Sequence, residues 1–173
     1  LIKMRARSTQ DAGTIQFLTE LESQAHTMSL VYEQLYQSEN LAQISMAQYL
    51  RQLTANVLDT YGRRDAIQFH LDAPLAMDVA QATPCGLIVN ELFSNILKYA
   101  FPPGFQEIPS VSITLRQEGA TYQLTVSDNG VGFPPGYDWR AGQSMGLRLV
   151  NLWVTHQLGG TLTVSGKPGT TFA

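Results

Sequence analysis

Three polar side chains occur at helical spacing within an otherwise largely apolar segment, residues 87–100. Glu91, Asn95 and Lys98 are three or four positions apart, and residues at this spacing lie on one helix face. A carboxylate can take or orient a proton, an amide oxygen suits a hard cation, and an ammonium group contacts phosphate. This strip, with Tyr99 at its edge, could therefore handle a metal–phosphate ligand. The alternative is a solvated helix face, because such charge runs are common.

A second candidate site follows a predicted strand. Asp128 comes two residues after the end of the alternating segment 122–126 and directly before Asn-Gly-Val-Gly at 129–132. Asn-Gly after a strand favours a hairpin turn, but the Pro-Pro-Gly sequence at 134–136 does not continue as a return strand. The two glycines let the backbone pass close to a ligand. The Asp128 carboxylate could then accept a hydrogen bond from a ligand amine, such as that of adenine.

A third motif, Gly-Gln-Ser-Met-Gly-Leu at 142–147, has the letters of the nucleophile turn of α/β-hydrolases. That turn requires a strand before it and an acid and a histidine after it, whereas residues 145–173 contain no Asp or Glu. The sequence instead predicts a glycine-rich loop leading into a helix N-terminus, whose free N–H groups attract phosphate. A plain capped helix is the alternative for this segment.

The composition narrows the classes of partner. The 173 residues carry a net charge of −3 and are 44% apolar, which is typical of a globular protein without a basic surface. Nucleic acid is therefore not an expected ligand. The single cysteine, Cys85, excludes an internal disulfide and fits a reducing compartment. We expect a cytoplasmic location, since no apolar run in this chain reaches the ~18 residues that span a bilayer, although the full-length protein could be membrane-anchored.

The element pattern divides the chain into two expected domains, residues 1–61 and 62–173. The first part lacks proline and reads as helical, with an amphipathic helix from Thr14 and, after a break at 37–40, a second helix from a Ser45–Gln48 capping box to about Tyr61. Because the chain starts at Leu1 and stops in an apparent strand, we expect a fragment of a longer protein whose first hairpin helix is truncated.

The second part mixes helices with alternating strands. Helices are predicted at 78–100 and 145–158, and strands at 67–71, 111–115, 122–126, 161–165 and from 170 onward. The expected fold class is α+β: a helical hairpin followed by an α/β sandwich, whose mainly antiparallel sheet is covered on one face by helices.

In type and order, these motifs resemble the ATP-binding domain of sensor histidine kinases, within the GHKL (Bergerat-fold) ATPase superfamily. Residues 90–101 look like the N box, 128–132 like the G1 box and 142–147 like the G2 box, and 169–172 resemble the Gly-Thr of the final strand. Residues 28–36 are similar to the second helix of the dimerisation and phosphotransfer hairpin, as in the HWE-type subfamily.

The resemblance implies a role for each matching residue. Asn95 would coordinate a Mg²⁺ ion that bridges the phosphates of ATP, and Glu91 would be the catalytic group near the γ-phosphate. Asp128 would bind the adenine amine. The other nucleotide-binding residues implied by the motifs are Lys98, Tyr99, Gly130, Gly132, Gly146, Leu147 and Thr170. Residues 134–144 would form the lid over ATP.

The implied activity is that of a histidine protein kinase, which transfers the ATP γ-phosphoryl group to a histidine and then to an aspartate of a response-regulator receiver domain. The helical region would form a homodimer. The sequence departs from the family twice: Tyr32 stands where the subfamily often has His, and no residue matches the phosphoacceptor, since His26 lies on the second helix. The alternatives are a non-catalytic nucleotide-binding or assembly module, and a GHKL ATPase or serine kinase, which lacks such a hairpin.

Overall fold

The computed structural model describes residues 14, 18, 22, 25–27, 29–30, 43–134, 137, 139, 145–166 and 168–173. Before residue 43, every described position is helical, in agreement with the amphipathic helix predicted from Thr14. The predicted break at 37–40 and most of the predicted lid lie outside the described residues. Among the described residues, no helix has the length and apolar character that crossing a bilayer requires.

From residue 43 onward, helices and strands follow the mixed order that the sequence predicts. The strands are β1 (Ile44–Ser45), β2 (Gln68–Asp72), β3 (Ala76–Met77), β4 (Ser110–Glu118), β5 (Thr121–Asp128), β6 (Val164–Ser165) and β7 (Thr170–Phe172). The helices are α1 (Met46–Thr60), α2 (Val79–Tyr99) and α3 (Met145–Leu152), which continues as a π-helical turn over Trp153–Gln157.

Five strands form the main sheet, in the order β2-β4-β5-β7-β6. β2 runs parallel to β4, and the other neighbouring pairs are antiparallel. The β4–β5 hairpin is the longest pairing, from Val111 opposite Asp128 to Glu118 opposite Thr121. The prediction of an α+β fold with a mainly antiparallel sheet is confirmed.

Helix α2 is the central element of the core. Its N-cap is Asp78, whose carboxylate accepts a hydrogen bond from the Gln81 N–H at 2.8 Å, and such a cap stabilises a helix by about 1 kcal/mol. Two prolines shortly after Tyr99 prevent its continuation. Cys85 is buried within it, and burial raises the pKa of its thiol to about 12. A buried thiol that keeps its proton is a packing residue rather than a nucleophile.

Helix α1 packs against α2 through Tyr49. A Cβ placed on Gly86 would lie 1.9 Å from the Tyr49 hydroxyl, so the ring fits only because residue 86 is glycine. The hydroxyl donates a hydrogen bond to the Thr27 carbonyl at 3.3 Å, and burial raises the pKa of Tyr49, which keeps the proton in place. Tyr49 thus joins the helical residues near Thr27 to the helix that carries the first candidate motif.

Three predicted details were wrong. The Ser45 side chain makes no capping hydrogen bond. The first N–H of the helix, that of Met46, donates to the Leu75 carbonyl at 2.9 Å, beside the pairing of β1 with β3. The helix predicted at 145–158 changes to π-helical geometry after Leu152. The strand predicted at 161–165 is shorter, with β6 limited to Val164–Ser165.

Candidate functional site

The first candidate motif lies inside the protein. Glu91 is 6% exposed, Asn90 and Ser94 are also buried, and Asn95 is half-buried. The Asn95 amide lies 3.5 Å from Glu91 Oε1, at the outer limit of hydrogen-bonding distance. The alternative of a solvated helix face is therefore wrong for Glu91. A carboxylate is buried in this way only where packing and partners hold it.

The start of α3 lies directly against Glu91. A Cβ placed on Gly146 would be 1.8 Å from Glu91 Oε1 and 2.6 Å from its Cδ, closer than any side chain tolerates. The described structure thus brings together one residue of the first motif and one of the third. Leu147, the next residue, is buried. The Glu91 carboxyl group is therefore close to the N-terminal turn of a helix, where the backbone dipole stabilises anions.

Asp128 is the last residue of β5, as predicted, and lies opposite Thr170 of β7. One carboxylate oxygen, Oδ1, accepts a hydrogen bond from the Gly130 N–H at 2.8 Å. Burial raises the pKa of Asp128, and hydrogen bonds from the backbone of Gly130 and Thr170 partly oppose the shift. A half-buried carboxylate at a strand end can accept a hydrogen bond from a ligand donor with less competition from bulk water than an exposed one.

The glycines after Asp128 are required by close backbone contacts. A Cβ on Gly130 would lie 2.4 Å from the Ala100 carbonyl oxygen, which also accepts a hydrogen bond from the Val131 N–H at 3.0 Å. Gly132 has φ +68°, and a Cβ there would lie 2.8 Å from the Gly169 carbonyl oxygen. The second motif is therefore docked on the C-terminal end of α2 and on the turn before β7.

Lys98 and Tyr99 lie at the C-terminal end of α2. The Lys98 ammonium is 6.0 Å from the centre of the Tyr61 ring, at the limit of a cation–π contact. Tyr99 is 65% exposed. The implied roles of Lys98 at the phosphates and of Tyr99 at the ribose or adenine stay predictions. The roles of the other site residues stay predictions as well.

The sequence reasoning missed two groups that build the site. The Ala100 carbonyl holds the backbone of the second motif, and the Asn129 side chain hydrogen-bonds to residues 107–110. A backbone carbonyl has no sequence signature. Asn129 was visible only as part of an Asn-Gly turn, and its partners lie about twenty residues earlier in the chain.

A separate cavity of about 640 Å³ lies between α2, the β4–β5 hairpin and the segment after the π-helical turn. Its walls include Cys85, Ile88, Leu124 and Val154, and none of the predicted site residues lines it. It is therefore distinct from the candidate site.

The oxygen atoms around Asn95 suit a magnesium ion. An amide and a carboxylate provide the hard oxygen ligands that Mg²⁺ prefers, and this ion is usually held by one or two such groups together with phosphates and water. No group of three or more His, Cys, Asp or Glu residues that could hold a metal occurs in the part of the chain that the structure describes. An amide and a carboxylate of this kind fit an ion that also binds phosphate and water.

Both parts of the chain match known protein families. Residues 80–173 match the family described as "Histidine kinase-, DNA gyrase B-, and HSP90-like ATPase", and residues 1–61 match the family described as "Histidine kinase". The chain belongs to this ATPase family. The succession of a histidine-kinase helical region and the ATPase region identifies the catalytic part of a sensor histidine kinase of the HWE-like type, and the resemblance seen in the sequence is confirmed.

Individual proteins that the chain is similar to are also histidine kinases. The chain is 26% identical over 163 residues to sensor histidine kinase PdtaS of Mycobacterium tuberculosis, covering 94% of this chain and 32% of that protein. It is 26% identical to blue-light-activated histidine kinase 2 of Erythrobacter litoralis, covering 96% and 49%. The solved histidine kinase domain of E. litoralis EL346 superposes with a TM-score of 0.75 at 27% identity, covering 88% and 72%. The chain thus spans about a third to a half of the length of these curated relatives.

Proposed function

We propose that this chain binds ATP together with Mg²⁺ and transfers the γ-phosphoryl group to a histidine, from which it passes to an aspartate of a response-regulator receiver domain. One observation carries the proposal: the buried Glu91 of α2 lies against Gly146 of α3. This contact joins a carboxylate and its neighbouring amide to a helix N-terminus, which are groups of the kinds that phosphoryl transfer uses.

Each group has a task that its surroundings support. The Asp128 carboxylate, held by the backbone of Gly130, accepts a hydrogen bond from the adenine amine. Asn95 offers its amide oxygen to the metal, and a Mg²⁺ ion bound there would neutralise charge on the phosphates. Glu91 orients or accepts a proton near the γ-phosphate. Lys98 contacts phosphate after its ammonium moves away from the Tyr61 ring.

The binding step is tested by titrating the chain with ATP in the presence and absence of Mg²⁺. Asp128→Ala and Asn95→Ala are each expected to weaken binding by about 10–100-fold, because each removes a hydrogen bond or ligand to a charged or polar group. The matched controls are Asp65→Ala and Asn151→Ala, whose side chains are exposed and lie outside the site. Unchanged affinity in both site variants would refute the proposal.

The transfer step is tested in the full-length protein with γ-labelled ATP. Label on a histidine, followed by transfer to a receiver domain, is the expected result. ATP binding without any labelled histidine would instead support a non-catalytic nucleotide-binding module. We further propose that the helical region, residues 1–61, forms a homodimer and that the protein acts in the cytoplasm, which sedimentation and cell fractionation test.

A further inference from the structure

The Asn129 side chain makes three hydrogen bonds to one short segment, residues 107–110. Its Oδ1 accepts from the Ser110 N–H at 2.7 Å, and its Nδ2 donates to the Ile108 carbonyl at 3.0 Å and to Glu107 Oε2 at 3.2 Å. The backbone N–H of Asn129 adds a fourth bond, to the Ser110 carbonyl at 3.2 Å. All four bonds therefore join the residue after Asp128 to the segment that leads into β4.

These bonds act where β5 leaves the sheet. The regular pairing of β4 with β5 ends at Val111 opposite Asp128. One residue later the chain turns, so that Gly130 packs against Ala100 and Val131 bonds to its carbonyl. At this turn, where the regular strand pairing has ended, the side chain of Asn129 makes the hydrogen bonds to the neighbouring segment. It thereby fixes the direction in which the peptide units on both sides of it point.

Only an amide satisfies all three partners of this side chain. One partner is a donor and the other two are acceptors, and an amide supplies both kinds of group. A carboxylate at position 129 would keep the bond to the Ser110 N–H. It would, however, face the Glu107 carboxylate and the Ile108 carbonyl, and both contacts would be repulsive.

We propose that Asn129 is a positioning residue for adenine recognition, which holds the Asp128 carboxylate in the orientation that accepts the exocyclic amine. The inference rests on the proposed ATP binding. It gives Asn129 no contact with the nucleotide; its effect passes through Asp128, whose Oδ1 is tied to the Gly130 N–H on the other side of Asn129.

The test compares ATP with inosine triphosphate, which carries a carbonyl oxygen in place of the exocyclic amine. The wild-type chain is expected to prefer ATP by about tenfold or more, the value of one hydrogen bond to a charged group. Asn129→Ala is expected to weaken ATP about tenfold while inosine triphosphate changes less than about threefold, so that the preference largely disappears. The control is Asn151→Ala on the exposed side of α3, which is expected to keep the wild-type preference.

A double-variant comparison and a rescue complete the test. In an Asp128→Ala background, Asn129→Ala is expected to cause no further loss of ATP affinity, because the group through which it acts is absent. Asn129→Asp is expected to lose the preference for ATP, and adding Glu107→Gln is expected to restore part of it by replacing a repulsion with a donor. This pair keeps the test valid if Asn129→Ala does not fold.

The outcomes are distinguishable. If Asn129→Ala weakens both nucleotides equally and keeps the ATP preference, or weakens ATP further in the Asp128→Ala background, the inference is overturned and the proposed function stands. If the wild-type chain binds neither nucleotide, the proposed function itself is refuted and the inference falls with it.

Discussion

Replacing Gly146 with alanine tests whether the contact between α3 and Glu91 is as tight as the structure shows. The added Cβ would lie 1.8 Å from Oε1, 2.6 Å from Cδ and 3.1 Å from Cγ of Glu91. Because Glu91 is buried, its side chain cannot turn into water to relieve the overlap. Either the carboxylate or the start of α3 has to move.

The size of the effect follows from two opposing contributions. Alanine in place of glycine in an unobstructed helix stabilises the protein by about 0.5–1 kcal/mol. Overpacking of a filled site costs about 1–3 kcal/mol. Gly146→Ala is therefore expected to lower the free energy of unfolding by up to about 2.5 kcal/mol. In a Glu91→Ala background the three overlapping atoms are gone, and the same change is expected to stabilise by up to about 1 kcal/mol.

The assay is urea unfolding of four proteins: the wild type, each single variant and the double variant. The change in the free energy of unfolding caused by Gly146→Ala is expected to differ between the two backgrounds by about 1–3 kcal/mol, which corresponds to several degrees in Tm. Gly160→Ala, where the nearest side-chain atom to an added Cβ is 3.4 Å away, is the control. If Gly146→Ala has the same effect with and without the Glu91 side chain, the described contact is wrong.

Two further predictions concern Asp128 and the packing of Gly86 against Tyr49. Because burial raises the pKa of Asp128, its ionised form lowers stability, and this penalty grows as the pH rises from below the ordinary Asp value of about 3.9 through the raised pKa. Asp128→Asn is thus expected to be at least as stable as the wild type at pH 7, with no advantage near pH 3, while its ATP affinity falls; urea unfolding against pH and nucleotide titration check both. Gly86→Ala is expected to lower the free energy of unfolding by about 1–3 kcal/mol through overlap with the rigid Tyr49 ring. Adding Tyr49→Leu to Gly86→Ala is expected to reverse part of that loss. A Gly86→Ala protein as stable as the wild type would contradict this packing.

The sequence predicts those parts of the molecule that local chemistry determines. Alternation revealed β4 and β5, the helix predicted over 78–100 corresponds to α2, and the prolines after residue 132 showed that Asp128 ends its strand. Distant partners are not visible in this way. The Ser45–Gln48 pattern gave no sign that Leu75, thirty residues after Ser45, accepts a hydrogen bond from the Met46 N–H at the start of α1. The docking of Gly130 on Ala100 likewise depends on how the end of α2 meets the sheet.

The polar strip of α2 shows why spacing alone could not decide between a solvated face and a site. Three elements surround this helix: the sheet, where Phe69 lies 5.3 Å from Phe93 between ring centres; α1, through Tyr49; and α3, through Gly146. An amphipathic helix on a surface would leave its polar side in water. With a neighbour on each of these sides, the Glu91 end of the polar strip is buried in protein, while Tyr99 at its other end is exposed. The glycines at 86 and 146 were the available sign of this arrangement, because glycine weakens a helix and is retained where another group comes too close for a Cβ.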